Sequence, residues 1–190
     1  MDILKERILE QGTVVSDQVL NLNALLNHQV DPVLMAAIGR RFAESFGGDN
    51  ITKVLTIESS GIAPAFATAY ELGVPLVFAR RKKTLTMDED VFCERAPSFT
   101  KGIVTDVVVS RNVLSEKDRV LIVDDIIANG DAVRALIRII KQSGASVAGL
   151  GVVVEKTFQP GGRLVRELGI RVESLVKIAG LKNKTMQFES

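Results

Sequence analysis

A chain of 190 residues that is 46% hydrophobic and 25% charged carries enough apolar material for one sizeable core and is far from the composition of a disordered segment. Its formal net charge of +1 offers no global field for nucleic acid or an anionic membrane, so any anion site must be local. A single cysteine, Cys93, and a single histidine, His28, exclude an internal disulfide, a cysteine-based zinc site and a His-rich metal site. Nucleophilic triads would have to use His28, which sits in the polar stretch Asn27-His28-Gln29, where a loop role is the simpler reading.

The start, MDILKERILEQG, places charges every few residues and lacks the apolar stretch of a signal peptide. No run of about eighteen apolar residues occurs, so a cytoplasmic protein with no membrane or nucleic-acid partner is expected. Leu4 and Ile8 mark a short first helix that Gly12 stops, and residues 13 to 30 read as strand and loop. Asp31-Pro32 opens a helix with an N-cap acceptor and a ring suited to the first turn; Leu34, Ile38 and Phe42 form its inner face and Gly47-Gly48 ends it. KVLTIE is a strand, followed by Ser59-Ser60-Gly61 and a helix that tolerates Pro64 in its first turn. Val74 to Ala79 is a second apolar strand, and Arg80 to Asn112 reads as a mobile loop leading into a hairpin.

RVLIVDD is a buried strand, and Gly130 to Ser143 a helix with Val133, Leu136, Ile137 and Ile140 facing inward and Gly144 as its stop. VAGLGVVVEK is another apolar strand, followed by a short helix from Arg163 to Leu168, a strand from Arg171 to Ile178, and KTMQFE as an edge strand. Strands of continuous Val, Ile and Leu separated by helices predict one α/β domain over residues 1–190, doubly wound, with a mainly parallel sheet covered by helices on both faces. Such sheets bind ligands at the carboxyl ends of their strands.

The most informative strand end is VLIVDDIIANGDA, Val120 to Ala132. A loop entering a helix presents backbone N–H groups without internal partners and the positive end of the peptide dipoles, which together suit a phosphate. Gly130 lets the backbone approach a ligand, and Asn129 tolerates unusual dihedrals or adds an amide donor. Adjacent carboxylates on Asp124 and Asp125 would accept from sugar hydroxyls, although from pattern alone the pair also fits a cap on a loop. Ser60-Gly61 is equally a turn or an anion loop, and the cations Arg80-Arg81-Lys82-Lys83 are equally solvated surface or partners for a polyanion.

The 13-residue stretch resembles the signature of type I phosphoribosyltransferases, a hydrophobic strand, two acidic residues and a phosphate loop. By that resemblance Asp124 and Asp125 contact the ribose hydroxyls, and Ala128, Asn129, Gly130, Asp131 and Ala132 hold the 5-phosphate of phosphoribosyl pyrophosphate. Ser59, Ser60 and Gly61 form a pyrophosphate loop, with Arg80 and Lys82 starting a flexible loop over the leaving group. Asn129 stands in place of the usual Thr, Asp131 in place of Gly or Lys, and Ala132 in place of a hydroxyl residue, so the Asp131 carboxylate must turn away from the phosphate.

SDQVLNLNALLNHQVDP, TIESSGIAPA and VVVEKTFQPGG are similar to the bacterial xanthine phosphoribosyltransferases over essentially the whole chain. That similarity implies purine salvage on the type I fold, with a small hood from residues 1–35 and the C-terminal segment over the base. It puts Leu20 and Asn27 in the base pocket, Lys156 on xanthine and Phe158 against the ring, with Mg²⁺ arriving on the sugar donor and a homodimer as the usual assembly. Taken alone, Lys156 reads equally as a surface residue after a strand and Phe158 as core. Where hypoxanthine-guanine enzymes place an Asp this chain has Ala128, so no general base is assigned. The alternatives are a purine-sensing regulator of the same fold or a transferase for guanine, hypoxanthine or adenine. About thirty residues before the core are too few for a DNA-binding module, and the Lys156 ammonium disfavours adenine. A phospho-receiver domain would use the acidic pair but leave the glycine loop and basic segment without a role.

Overall fold

Residues 1–81, 90–98 and 103–189 are described by the computed structural model. Helix α1 (Asp2–Gln11) buries Leu4 and Ile8 and ends at Gly12, as their spacing predicts. The stretch expected as strand and loop contains the antiparallel pair β1 (Thr13–Val14) and β2 (Leu20–Asn21) and, unexpectedly, a four-residue helix, α2 (Asn23–Leu26). Helix α3 (Pro32–Phe46) begins where the capping chemistry requires, with the Asp31 carboxylate accepting from the N–H groups of Val33 and Leu34 at 2.9 and 3.2 Å.

The main sheet then builds through β3 (Lys53–Ile57), α4 (Ile62–Leu72) and β4 (Leu76–Ala79). The hairpin β5 (Val91–Ser98) and β6 (Ile103–Ser110) follows, then β7 (Arg119–Ile127), α5 (Asp131–Gln142), β8 (Ser146–Lys156), α6 (Gly161–Glu167), β9 (Val172–Lys182) and β10 (Thr185–Phe188). The six main strands lie in the order β10-β9-β8-β7-β3-β4, parallel except for β10, which returns antiparallel along β9 as an edge. From β3 the chain winds outward through β4 on one side; from β7 it winds outward through β8 and β9 on the other. The reversal therefore falls between β3 and β7, and their carboxyl ends flank a crevice.

Strand alternation splits the apolar residues into two cores. Val54, Leu121 and Val123 face α1, α3, α4 and the N-terminal segment, packing with Ile38, Phe42 and Phe46. Leu55, Val120 and Ile122 face α5 and the hairpin, packing with Leu136, Ile139 and Val107. All four residues expected on the inner face of α5 are buried. The hairpin is tied to α5 by Glu94, which accepts from Arg138 Nε at 2.7 Å and Gln142 Nε2 at 2.5 Å, and to β4 by an antiparallel bridge between Arg80 and Val108. No helix among the described residues is long and apolar enough to cross a membrane.

Candidate active site at the sheet reversal

Strand β7 does not stop at the acidic pair. Its ladder with β8 continues through Asp124↔Val152 and Ile126↔Val154 to Ile127↔Glu155, so both side chains project from a held strand. Asp124 is 5% exposed and Asp125 partly exposed; the Asp125 N–H donates to Asp124 Oδ1 at 3.1 Å. Burial first, and the neighbouring Asp125 charge second, push the Asp124 carboxyl well above the usual carboxylate range, while the Arg81 guanidinium pulls it back.

Past Ile127 the chain turns at Ala128-Asn129 into Gly130, which has φ +78° and opens α5. Among the described residues, the N–H groups of Asn129, Gly130, Asp131 and Ala132 have no protein acceptor. The Asp131 carboxylate is turned aside to Arg134, 2.5 Å from Nη2, which meets the condition that its charge leave the loop. Gly161 closes the back of the loop: its N–H donates to the Ala128 carbonyl at 2.8 Å, and a Cβ on Gly130 would stand 2.9 Å from Gly161 Cα. The resulting cleft is lined by Arg81, Pro97, Asp124 and residues 126 to 133.

Across the crevice, Ser59-Ser60-Gly61 joins β3 to α4, and a Cβ on Gly61 would lie 3.0 Å from Asp124 Oδ1, so this turn abuts the acidic pair. Glu58 gathers the start of the basic run: its carboxylate accepts from Arg81 N at 2.7 Å and pairs with Arg80 Nε at 3.1 Å, and its carbonyl accepts from Arg81 Nε at 3.2 Å. It is Arg81, not Arg80, that enters the cleft. Lys82 and Lys83 lie outside the described residues.

The expected base-pocket residues are less uniformly gathered. Lys156, 7% exposed at the end of β8, donates from Nζ to the Gln18 carbonyl at 2.9 Å, and burial lowers its ammonium pKa. Gln159 Nε2 donates to Gln18 Oε1 at 3.0 Å, fastening the β1–β2 loop down over the same place. Phe158 is partly buried and packs on the apolar cluster that holds Ile126. Leu20 is 7% exposed within that cluster, so its side chain is chiefly core. Asn27 sits instead at the serine turn, its Oδ1 accepting from Ser59 Oγ at 3.3 Å.

Sequence reasoning singled out neither Arg81 nor Gly161. The basic run gave no sign of which cation turns inward, and Gly161 fell in the matching stretch VVVEKTFQPGG without a role of its own. Gln18 fell in a matching stretch without a role of its own, since it acts through its main chain and through an amide whose partner is far away in sequence.

A crevice with free amides at one end, carboxylates in the middle and cations opposite suits a small molecule that is anionic at its ends and hydroxylated between them, the profile of an α/β phosphosugar-binding protein. The chain belongs to the phosphoribosyltransferase family: the family described as phosphoribosyl transferase domain matches residues 25–176. The architecture is the type I phosphoribosyltransferase fold. Xanthine phosphoribosyltransferases from Bacillus mycoides and Bacillus cereus (strain G9842) are 53% and 52% identical to it over 188 residues, covering 99% of this chain and 95% of theirs. Among solved structures, adenine phosphoribosyltransferase from Rhodothermus marinus superposes with a TM-score of 0.76 at 24% identity, covering 94% of this chain and all of that one. The enzyme from Giardia lamblia complexed with 9-deazaadenine reaches 0.77 at 22% identity, covering 92% and 97%. At that distance the adenine enzymes bear on fold alone.

Proposed function

We propose that the chain salvages purine by transferring the 5-phosphoribosyl group from phosphoribosyl pyrophosphate to N9 of xanthine, releasing pyrophosphate and forming xanthosine 5'-monophosphate. The observation that carries this reading is the row of unpartnered amides at Asn129 to Ala132 beside the Asp124–Asp125 pair. The amides and the α5 dipole receive the 5-phosphate, and the carboxylates accept from the ribose hydroxyls. Ser59, Ser60 and Gly61, with Arg80, Arg81 and Lys82, meet the leaving pyrophosphate.

Xanthine, acidic for a purine, gives its imidazole proton to solvent and reacts as the anion; the bond from the anomeric carbon to the pyrophosphate oxygen breaks as the bond to N9 forms, through an oxocarbenium-like transition state. Catalysis is then mostly alignment of two bound reactants plus charge stabilisation, negative carboxylates near the sugar cation and positive groups on the leaving phosphates. Among the described residues no three His, Cys, Asp or Glu side chains gather into a metal cage. Two adjacent carboxylates without a third ligand fit an ion that brings phosphate oxygens and water as most of its shell. Magnesium would enter with the donor and meet Asp124 and Asp125 directly or through its waters, supplying charge neutralisation at the pyrophosphate.

The N-terminal segment and the C-terminal strands form the hood over the base. Lys156 donates to an exocyclic oxygen of xanthine and penalises an amino group there, and Phe158 flanks the ring. The exposed apolar side chains Val30, Val33, Phe66 and Tyr70 on and beside α3 and α4 supply a face for a homodimer. A cytoplasmic setting suits the lone, exposed thiol of Cys93.

The deciding experiment is a product assay with xanthine, hypoxanthine, guanine, adenine and uracil, labelled donor and magnesium. Xanthosine 5'-monophosphate is expected as the fastest product. Donor binding without transfer to any base would favour a regulator, and adenosine 5'-monophosphate as the main product would overturn the role of Lys156.

A further inference from the structure

Glu155 is the least exposed carboxylate among the described residues, at 2%, and no step of the proposed reaction uses it. It stands one position before Lys156 on β8 and projects to the other face. Both its oxygens are taken by Arg166 of α6, at 2.6 Å from Nη1 and 2.7 Å from Nη2, and Oε2 also accepts from the Ser174 hydroxyl on β9. Burial alone would raise the Glu155 carboxyl, but the hydrogen bonds from Arg166 and Ser174 outweigh it and hold the group below its ordinary value. The Arg166 side chain is 39% exposed, and ion pairs that reach solvent contribute little to stability, so fold stability is a weak account of the pair's presence.

Its position supplies a stronger one. Gly162 lies against the Glu155 carboxylate so closely that a side chain there would have to occupy the space of Oε1, and it would stand 2.9 Å from Arg166 Nη1. The preceding residue, Gly161, holds the Ala128 carbonyl, and a side chain on it would come within 2.7 Å of Gly130 N and 2.9 Å of Asn129 C. A continuous line of contacts thus runs from Ser174 through Glu155 and Arg166 to Gly162, Gly161 and the loop.

We propose that Glu155, Arg166 and Ser174 form a positioning clamp that seats the start of α6 behind Ala128–Gly130 and so fixes the amides that receive the 5-phosphate. This rests on the assignment of that loop to the phosphate. Arg166 acts through Gly161 and does not itself reach substrate; it differs in this from Arg81, which lines the cleft.

Arg166→Lys keeps the charge and gives up the two-pronged contact, and Ser174→Ala removes one hydrogen bond with little change of volume. Both variants are compared with the wild-type enzyme by steady-state kinetics with each substrate varied, and by hydrogen exchange with and without ribose 5-phosphate. The KM for phosphoribosyl pyrophosphate is expected to rise roughly tenfold in Arg166→Lys while that for xanthine moves less than about twofold, the scale of a sub-ångström misplacement of one subsite. Exchange should quicken in peptides covering 125–133 and 157–165 alone, and ribose 5-phosphate should protect them less.

Ser174→Ala should show the same pattern more weakly, which keeps the test open if Arg166→Lys folds poorly. Wild-type donor KM and wild-type loop exchange in folded variants overturn the clamp and spare the loop assignment. Faster exchange spread evenly over the chain marks the pair as merely structural and also overturns it. Loop amides that ribose 5-phosphate fails to slow in the wild-type enzyme overturn the loop assignment, and the clamp falls with it.

Discussion

Replacing Lys156 by Met keeps the apolar stem that packs at the end of β8 and deletes the ammonium. In the fold Lys156 is 7% exposed, and its ammonium has the Gln18 carbonyl as partner at 2.9 Å. Burial lowers its pKa below the ordinary 10.5, so the unfolded chain takes up this proton at a higher pH than the folded one. The stability attached to the group is therefore complete above the unfolded value and lost as pH falls through the folded one, and the buried charge costs stability at neutral pH. Lys156→Met should consequently unfold no earlier than wild type, all the more because Gln18 is exposed and water can reach its freed carbonyl.

Function should respond differently. A hydrogen bond from a charged donor to the base contributes about 1.5–3 kcal/mol, which at 1.4 kcal/mol per factor of ten predicts a loss of roughly 10- to 150-fold in kcat/KM for xanthine. Adenine has no exocyclic oxygen to lose a bond and should fall little or improve. The assay is kcat/KM on each base beside a thermal melt. An unchanged xanthine value, or an equal fall on every base with a lowered melting point, would refute the assignment of the ammonium to the purine.

Four other perturbations probe the site and the fold. Asp125→Asn leaves the main-chain bond from residue 125 to Asp124 intact, so the protein should fold normally while turnover drops by roughly 10²–10³-fold, read from initial rates; wild-type turnover would reject the sugar contact. Gly130→Val forces a β-branched residue into φ +78° and against Gly161, and titration calorimetry should find donor binding lost, normal affinity counting against the loop. Acid should weaken the fold through Asp118 and Glu155. Burial would raise both, but for Asp118 the Ser115 N–H, Lys53, the Ser115 hydroxyl and Thr52 outweigh it, as Arg166 and Ser174 do for Glu155. Their contributions are whole above the ordinary values of 3.8 and 4.5 and fade as pH falls through the lower folded ones, so denaturant midpoints should drop in that range and drop less in Asp118→Asn. Asp124 has the opposite sign, because its carboxyl is raised: Asp124→Asn should stabilise the protein near neutrality while removing activity.

The parts of the fold written in the sequence were those with a single local cause. Asp31-Pro32 carried its own helix start, and the apolar runs at Lys53–Ile57 and Arg119–Ile127 needed only burial to become strands. Helix α2 stayed hidden because four residues cannot display a helical period, and its Leu25 and Leu26 are buried by neighbours from α1 and α3 rather than by their own pattern. The first hairpin arm, Val91–Ser98, was masked by charges and Pro97, both tolerable because among the described residues β5 pairs only with β6. Helix α6 starts two residues earlier than expected, at Gly161, where low helix propensity yields to the need for a backbone with no side chain against the loop. The same divide holds in the site: Asp124 to Ala132 could be read off one motif, whereas the inward turn of Arg81 depends on Glu58, and the seat of Lys156 on Gln18, 138 residues away.

The carboxylate pair and the free amides share one uninterrupted stretch, Asp124 to Ala132, so the spacing between a pentose ring and its phosphate is ruled by covalent geometry and one helix start. The proposed base pocket, by contrast, is assembled from segments far apart in the chain, around Gln18 and Lys156. A drift in purine preference thus requires only that the outlying pieces change, with donor affinity carried along untouched, and the same sugar grip can be inherited by descendants that differ in everything they attach to it.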